Sequence, residues 1–461
     1  MKVLAHVRAR SSSTALVLDD RSVSWAELDD LSLAFAEQER ALGIVRGDRV
    51  VVALHSGLQA VVALLAHHRA GVVHVPVNPA ALEDERRHIL TDCGARALFA
   101  LASGVPALTL TGLNDPPAAD DIAMLVYTSG TTGKSKGCML TFGAIDAAVD
   151  ALASLWEIDA DDEIVNALPL FHVHGLCVAL QAALLKGART RLIERYAPPL
   201  VVEAIRQGGT VFMAVPTMYR RLLVHLEQQR SDADVLAGAR LFTAGSASLP
   251  AADLVDFERR TGHRIVERYG MSETLITLSN PLHGVRKAGS VGCPLPGVSM
   301  RVVDDELYVK GPGLMRGYWN DAAATQKTFA DGWLKTGDLV AVDDEGYVSI
   351  LGRAATDFVK VGGHKVSTKE IEEHIASMPG IVEVSVVGSP DSEWGHRIVA
   401  CVVLAEGTAR AGLLAHMHRH LPLARHKLPR ALFVVEALPR NAMGKVQKNL
   451  LRDQHKNLFL A

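Results

Sequence analysis

The chain has 461 residues, 49% of them hydrophobic and 21% charged, with a formal net charge of −3. That length exceeds one ordinary core and calls for two or three packed units. The near-neutral balance excludes a global pull towards nucleic acid or an anionic membrane. In chain order, Met1 to Arg8 lacks the apolar core of a signal peptide, and no apolar run reaches the ~20 residues of a membrane helix. Short apolar runs then alternate with Ala/Leu-rich stretches. Strands are expected at Arg49–Leu54, Val72–Val77, Ile122–Val126, Ile164–Leu168, Thr210–Val215, Arg240–Thr243 and Arg264–Arg268. Helices are expected at Ala26–Leu42, Leu58–Arg69, Ala144–Leu155 and Leu200–Gln207. This alternation predicts α/β layers with largely parallel sheets. After Arg301 the texture becomes hairpin-like, at Glu306–Lys310 and Gly346–Leu351. A βαβ-like stretch is expected from Asp357, with helices at Lys369–Ser377 and Leu413–His420 and strands at Val382–Gly388 and Ile398–Leu404. The five cysteines (Cys93, Cys138, Cys177, Cys293, Cys401) form no CxxC pair, which argues against zinc and a disulfide framework and predicts a cytoplasmic protein.

The segment Tyr127-Thr128-Ser129-Gly130-Thr131-Thr132-Gly133-Lys134-Ser135-Lys136-Gly137 follows an expected strand and precedes an expected helix. Its glycines let consecutive amides point inward, and its hydroxyls and lysines add donors and charge, a composition suited to polyphosphate. A Walker A loop is excluded, because its first glycine would have to be Thr128. Further on stand Ala244-Gly245-Ser246-Ala247, whose small residues would let a flat ring lie on backbone, and Arg268-Tyr269-Gly270-Met271-Ser272-Glu273-Thr274. The plain alternative for the latter is a helix start with Ser272 as cap. Then come Thr336-Gly337-Asp338-Leu339, Gly352-Arg353, the stretch Lys360-Val361-Gly362-Gly363-His364-Lys365, and Pro439-Arg440-Asn441-Ala442-Met443-Gly444-Lys445.

Together, and in this order, these motifs resemble those of the adenylate-forming enzymes, the superfamily of acyl-CoA synthetases, adenylation domains and beetle luciferase. The resemblance implies an N-terminal AMP-binding domain of layered α/β sheets with a small β-rich unit, residues 1–353. A mobile, smaller α+β domain, residues 354–461, would swivel and carry the catalytic lysine. It implies ATP, Mg²⁺ and coenzyme A as reaction partners. The loop Thr128, Ser129, Gly130, Thr131, Thr132, Gly133 and Lys134 would grip phosphates, with Thr131 counted among the catalytic groups. Gly245, Ser246 and Ala247 would wall the adenine, and Tyr269, Gly270, Met271 and Ser272 would line the nucleotide. Glu273, with Thr128, would hold magnesium through hard oxygen ligands. Asp338 would accept from the ribose hydroxyls and Arg353 would reach the nucleotide. Lys445 would bridge the substrate carboxylate and the α-phosphate, stabilising charge as they join. Lys360, Gly362, Gly363, His364 and Lys365 would line the CoA channel after the swivel, with the hinge at Thr356 or Asp357.

The acid is read from Pro169-Leu170-Phe171-His172-Val173-His174-Gly175 and from Arg268. Two histidines at i and i+2 without a third ligand nearby point to buried, hydrogen-bonded groups rather than a metal site. The motifs His-Val-His-Gly, Val-Pro-Thr-Met-Tyr and Pro-Arg-Asn-Ala-Met-Gly-Lys-Val-Gln-Lys resemble malonyl-CoA synthetases. A dicarboxylate brings a second charge that a guanidinium fork would match. Hence His172, His174, Arg268 and Met271 are the substrate candidates, with His172 also placed at the chemistry, and malonate or methylmalonate is the expected acid. The rival for Arg268 is a pair with its neighbour Glu267.

Departures from the resemblance are a short Val303–Lys310 hairpin, trimming between Leu101 and Ala119, and His364 where an aromatic is common. They bear on the CoA channel. An aryl or fatty acid ligase, an enzyme loading a separate carrier protein, an oxidative luciferase-like route and a non-catalytic nucleotide-binding protein are the alternatives. A lysine acetyltransferase and deacetylase acting on Lys445 are further expected partners, since acetylation would remove its charge.

Overall fold

The computed structural model describes residues 2–9, 11–19, 21–102, 105–110, 121–128, 134–440 and 446–459. The chain forms two compact units. One holds Met1–Arg301, Tyr308–Lys335 and Val342–Ser349; the other holds Val302–Leu307, Thr336–Ala341 and Ile350–Ala461.

Two sheets build the first unit. The larger runs in the order Cys293–Pro294, Leu278–Ser279, Val266–Tyr269, Leu241–Ala244, Val211–Ala214, Glu163–Asn166, Arg189–Leu192, Thr14–Leu18, Arg21–Ser24. Neighbours from Val266–Tyr269 through Thr14–Leu18 are parallel, and the outer pairs are antiparallel. The second sheet places Arg49–Ala53 and Val73–Pro76 among parallel neighbours Ala97–Ala102 and Ile122–Thr128, with antiparallel flanks Val105–Leu110 and Lys136–Thr141. The strands Glu163–Asn166, Val211–Ala214 and Leu241–Ala244 are buried throughout, because helices cover parallel sheets on both faces and the sequence must be apolar without alternation. Phe212, Tyr219, Phe242 and Phe257 meet edge to face in that core, the arrangement that ring quadrupoles favour. In such sheets, ligands sit beyond the carboxyl ends of the strands. Asn166, Ala244 and Tyr269 end three of these strands.

The hairpin-like region after Arg301 forms a five-stranded sheet of Ser299–Val303, Glu306–Lys310, Trp333–Val342, Phe329–Ala330 and Val348–Arg353. The stretch after Asp357 departs from the expected βαβ unit. It opens with an antiparallel hairpin, Phe358–Val361 on His364–Ser367. Gly362 and Gly363 turn that hairpin at φ of 56° and 82°, the left-handed pair that a two-residue turn requires. Ile381–Asp391 and Gly395–Leu404 are antiparallel. Parallel pairing enters between Gly395–Leu404 and Ala431–Val434, on either side of helix Leu413–His420. Val366, Ile371, Ile375, Val386, Ala400 and Met417 form the core of this unit. Among the described residues, no helix is long and apolar enough to cross a membrane.

Candidate active site

Of the expected phosphate loop, Ser129, Gly130, Thr131, Thr132 and Gly133 lie outside the described residues. Its two feet are held. Thr128 closes one strand and Lys136 opens the next, paired in register. Helix Glu83–Asp92 grips both sides. Tyr127 donates its hydroxyl to Asp92 Oδ2 at 2.6 Å, and His88 Nε2 lies 2.9 Å from the Ser135 carbonyl. Lys134 is exposed. Lys136 pairs with Asp321 at 3.2 Å and sits 5.3 Å over the Tyr318 ring.

After strand Val266–Tyr269 the chain makes a turn, so Ser272 caps no helix. The turn is tight for a steric reason: a Cβ on Gly270 would lie 1.8 Å from the Leu275 carbonyl oxygen. It is closed by the Met271 amide donating to Thr274 Oγ1 at 3.2 Å. The Tyr269 hydroxyl points to Met271 Sδ at 3.9 Å. Glu273 is 7% exposed. Its Oε1 accepts from the Tyr318 hydroxyl at 2.8 Å, and its carbonyl accepts from the Met315 amide at 2.8 Å. Cys138 lies close enough to Thr128 and Glu273 to feel both side chains, and burial foremost pushes its thiol well above the usual range. Thr128, Cys138, Glu273 and Tyr318 are therefore neighbours.

The residues expected to meet the acid lie in the same unit. Arg268 is 4% exposed, and its Nε and Nη2 have no hydrogen-bond partner. Burial lowers its pKa to about 9. The Glu267 alternative fails: successive residues of a strand face opposite sides, and Arg268 has no ion-pair partner among the described residues. Such a buried, unsatisfied cation is costly unless an anion completes it. His174 opens a seven-residue π-helix, His174–Leu180, a rare form that recurs at functional sites. Its Nδ1 lies 3.2 Å from Ser246 Oγ, while Nε2 is buried without a partner. Burial, then Arg268 and His172, hold its pKa well below the usual histidine value, so His174 is neutral beside the guanidinium. Ser246 reaches it from a backbone at φ 69°. The His172 ring packs against Phe171, centroids 4.5 Å apart. Met271 is partly buried at the head of the neighbouring turn.

The other unit carries the remaining candidates. Asp338 is 4% exposed, with Oδ1 3.0 Å from Arg353 Nε. Trp394 covers Gly362, where a Cβ would lie 2.8 Å from the indole. His364 stacks on His426 at 4.4 Å, and Lys365 lies 5.1 Å over Phe358. Lys360 is Lys365's partner across the hairpin. Lys445, with residues 441–444, is outside the described residues. Just beyond it, Lys448 Nζ donates to Asp357 Oδ1 at 2.8 Å and Thr368 Oγ1 at 3.1 Å, and pairs with Glu372 Oε1 at 2.9 Å. Sequence reasoning missed Tyr318, Cys138 and Lys448. The Gly317-Tyr318-Trp319 aromatics were a usable signal; Cys138 gave none.

The model for AMP-binding enzymes matches residues 4–111 and 102–319, and that for the AMP-binding enzyme C-terminal domain matches residues 370–445. The mitochondrial malonate–CoA ligase of Homo sapiens is 35% identical over 536 residues, spanning 97% of this chain and 91% of that protein. The malonate–CoA ligase of Arabidopsis thaliana is 39% identical over 374 residues, 73% of this chain and 61% of that protein. ATP-bound MatB from Rhodopseudomonas palustris superposes with a TM-score of 0.89 at 33% identity, covering 99% of each chain. The chain belongs to the AMP-binding, adenylate-forming enzymes, close to the malonyl-CoA synthetases, and is an AMP-forming carboxylate–CoA ligase.

Proposed function

We propose that this ligase acts on malonate, through malonyl-AMP, to give malonyl-CoA. The observation that carries the reading is Arg268: a buried guanidinium with Nε and Nη2 unpartnered, beside a neutral His174. One carboxylate of malonate reacts, and the other completes the guanidinium with charge-assisted hydrogen bonds. An apolar acid would leave that cation unpaired.

In the first step a carboxylate oxygen attacks the α-phosphorus of ATP and pyrophosphate leaves. The Thr128–Lys136 loop and Lys445 would stabilise the charge that develops on the phosphates. Glu273, one oxygen fixed by Tyr318, and Thr128 beside it fit the modest protein share of a magnesium shell, which phosphates and water complete. Glu273 and Thr128 would hold a magnesium ion there, whose positive charge would offset the negative charge of the phosphates. Tyr269 would stack on adenine, while Asp338 takes the ribose hydroxyls and Arg353 steadies Asp338. In the second step the CoA sulfur attacks the malonyl carbonyl and AMP leaves. Residues 354–461 would form a domain that turns between steps, exchanging Lys445 for the Gly362–Lys365 stretch. Cytoplasmic placement belongs to the same proposal and is supported by five cysteines that are all free.

The test is pyrophosphate release with MgATP and CoA across malonate, methylmalonate, acetate, octanoate and 4-coumarate. Malonate is expected to give the highest kcat/KM, with thioester formation saturating in free CoA. A higher value for octanoate or coumarate ends the malonate reading. Stoichiometric acetylation of Lys445 by an acetyltransferase is expected to abolish pyrophosphate release, and retained release would remove that lysine from the first step.

A further inference from the structure

Gly245 follows strand Leu241–Ala244, and Arg268 lies on its parallel neighbour Val266–Tyr269, where Ala244 and Glu267 are in register. The Arg268 side chain therefore crosses the end of the adjoining strand. A Cβ built on Gly245 would lie 2.5 Å from Arg268 Cζ, 2.6 Å from Nη1 and 2.7 Å from Nε. All three atoms belong to the guanidinium plane, so that plane rests on the Gly245 α-carbon. The backbone itself does not demand glycine, since Gly245 is outside the positive-φ set. Space for the guanidinium is what alanine would take away. We propose that Gly245 is a specificity-determining residue: its missing side chain is the bed that lets Arg268 face the second carboxylate of a dicarboxylate substrate.

This inference rests on the dicarboxylate reading and deepens it. The clash is with the far end of a flexible side chain, so Gly245→Ala is expected to displace the cation rather than break the fold. Ser246, next in the chain, holds His174 Nδ1 at 3.2 Å. Residues 245 and 246 thus contact Arg268 and His174 respectively. A guanidinium moved by an ångström loses two-point contact with a carboxylate, and such contacts depend steeply on geometry.

The experiment measures kcat/KM for malonate and for propionate, together with KM for ATP, in wild type, Gly245→Ala, Arg268→Ala and the double variant. Gly245→Ala is expected to lower the malonate-to-propionate ratio about tenfold or more, while the ATP KM moves far less. Adding Gly245→Ala to Arg268→Ala is expected to change the ratio no further, because the bed is then empty; this comparison stands even if Gly245→Ala alone folds poorly. A glycine that serves only as adenine wall would raise the ATP KM, lower both acids alike and leave the ratio intact, which overturns the inference. A further drop in the ratio in the double variant also overturns it. A wild type without preference for malonate overturns the dicarboxylate reading itself, and this inference with it.

Discussion

Replacing Lys448 by methionine tests the buried ion network at the start of helix Lys448–His455. Lys448 is shared by Asp357, Glu372 and Thr368 within its own unit. Burial opposes the charge of Lys448, yet Glu372 and Asp357 together raise its pKa. Asp357 is likewise pushed up by burial but held below the usual carboxylate range by Lys448 and the Arg353 amide. Burial dominates at Glu372 and raises it, so Glu372 is the partner that protonates most readily when the cation is removed. Breaking a buried pair from one side costs about 3–5 kcal/mol. Relief through Glu372 protonation places the expected loss near the lower end, about 3 kcal/mol. With a urea slope of about 1–3 kcal/mol per molar, that is a midpoint shift of about 1–3 M. The two units need not unfold together, so the transition should be followed by hydrogen exchange of helix Lys448–His455 in the full chain. Pyrophosphate release is expected to fall as well, because that helix begins three residues after Lys445. Replacing Asp357 by Asn in the Lys448→Met background should recover most of the loss. A midpoint shift worth under about 1 kcal/mol would mean that water, not Lys448, compensates the carboxylates.

Two further outcomes follow from the same geometry. Tyr318→Phe keeps the ring beneath Lys136 and removes the hydroxyl from Glu273. It is expected to raise the magnesium requirement about five- to tenfold and to weaken Mn²⁺–ATP binding measured by electron paramagnetic resonance; an unchanged metal requirement would show that Glu273 needs no such support. Burial depresses His68 to about 4 and both His74 and His174 well below 6.5. The unfolded chain therefore binds more protons than the native one once the pH drops beneath 6.5. Each histidine then removes up to about 1.4 kcal/mol of stability per pH unit, or up to about 4 for the three together. Urea midpoints that stay flat between pH 6.5 and 5 would contradict neutral burial of these rings.

Much of the fold was legible because parallel strands buried on both faces must be apolar runs, and those at Arg49, Val73, Val211 and Leu241 stand out between helical stretches. The motifs were legible because strand ends need special residues. What stayed hidden depends on contacts distant in sequence. Tyr318 meets Glu273 across 45 positions, and Lys448 meets Asp357 across 91; neither leaves a local pattern. The π-helix at His174 was missed because seven all-buried residues carry no periodicity. The plain alternative of a helix capped by Ser272 gives way to a turn, because Gly270 closely approaches Leu275. The small residues at Gly245 read as room for a ring; that a side chain there would also meet the Arg268 guanidinium depends on a contact across 23 positions and leaves no local pattern.

The central claim is that Arg268 answers the second carboxylate of the substrate. The most direct measurement is the malonate-to-propionate ratio of kcat/KM in wild type and in Arg268→Ala. The ratio is expected to fall by a factor on the order of 10² in the variant, carried mainly by a higher KM for malonate. Equal losses for both acids, with the ratio unchanged, would contradict it.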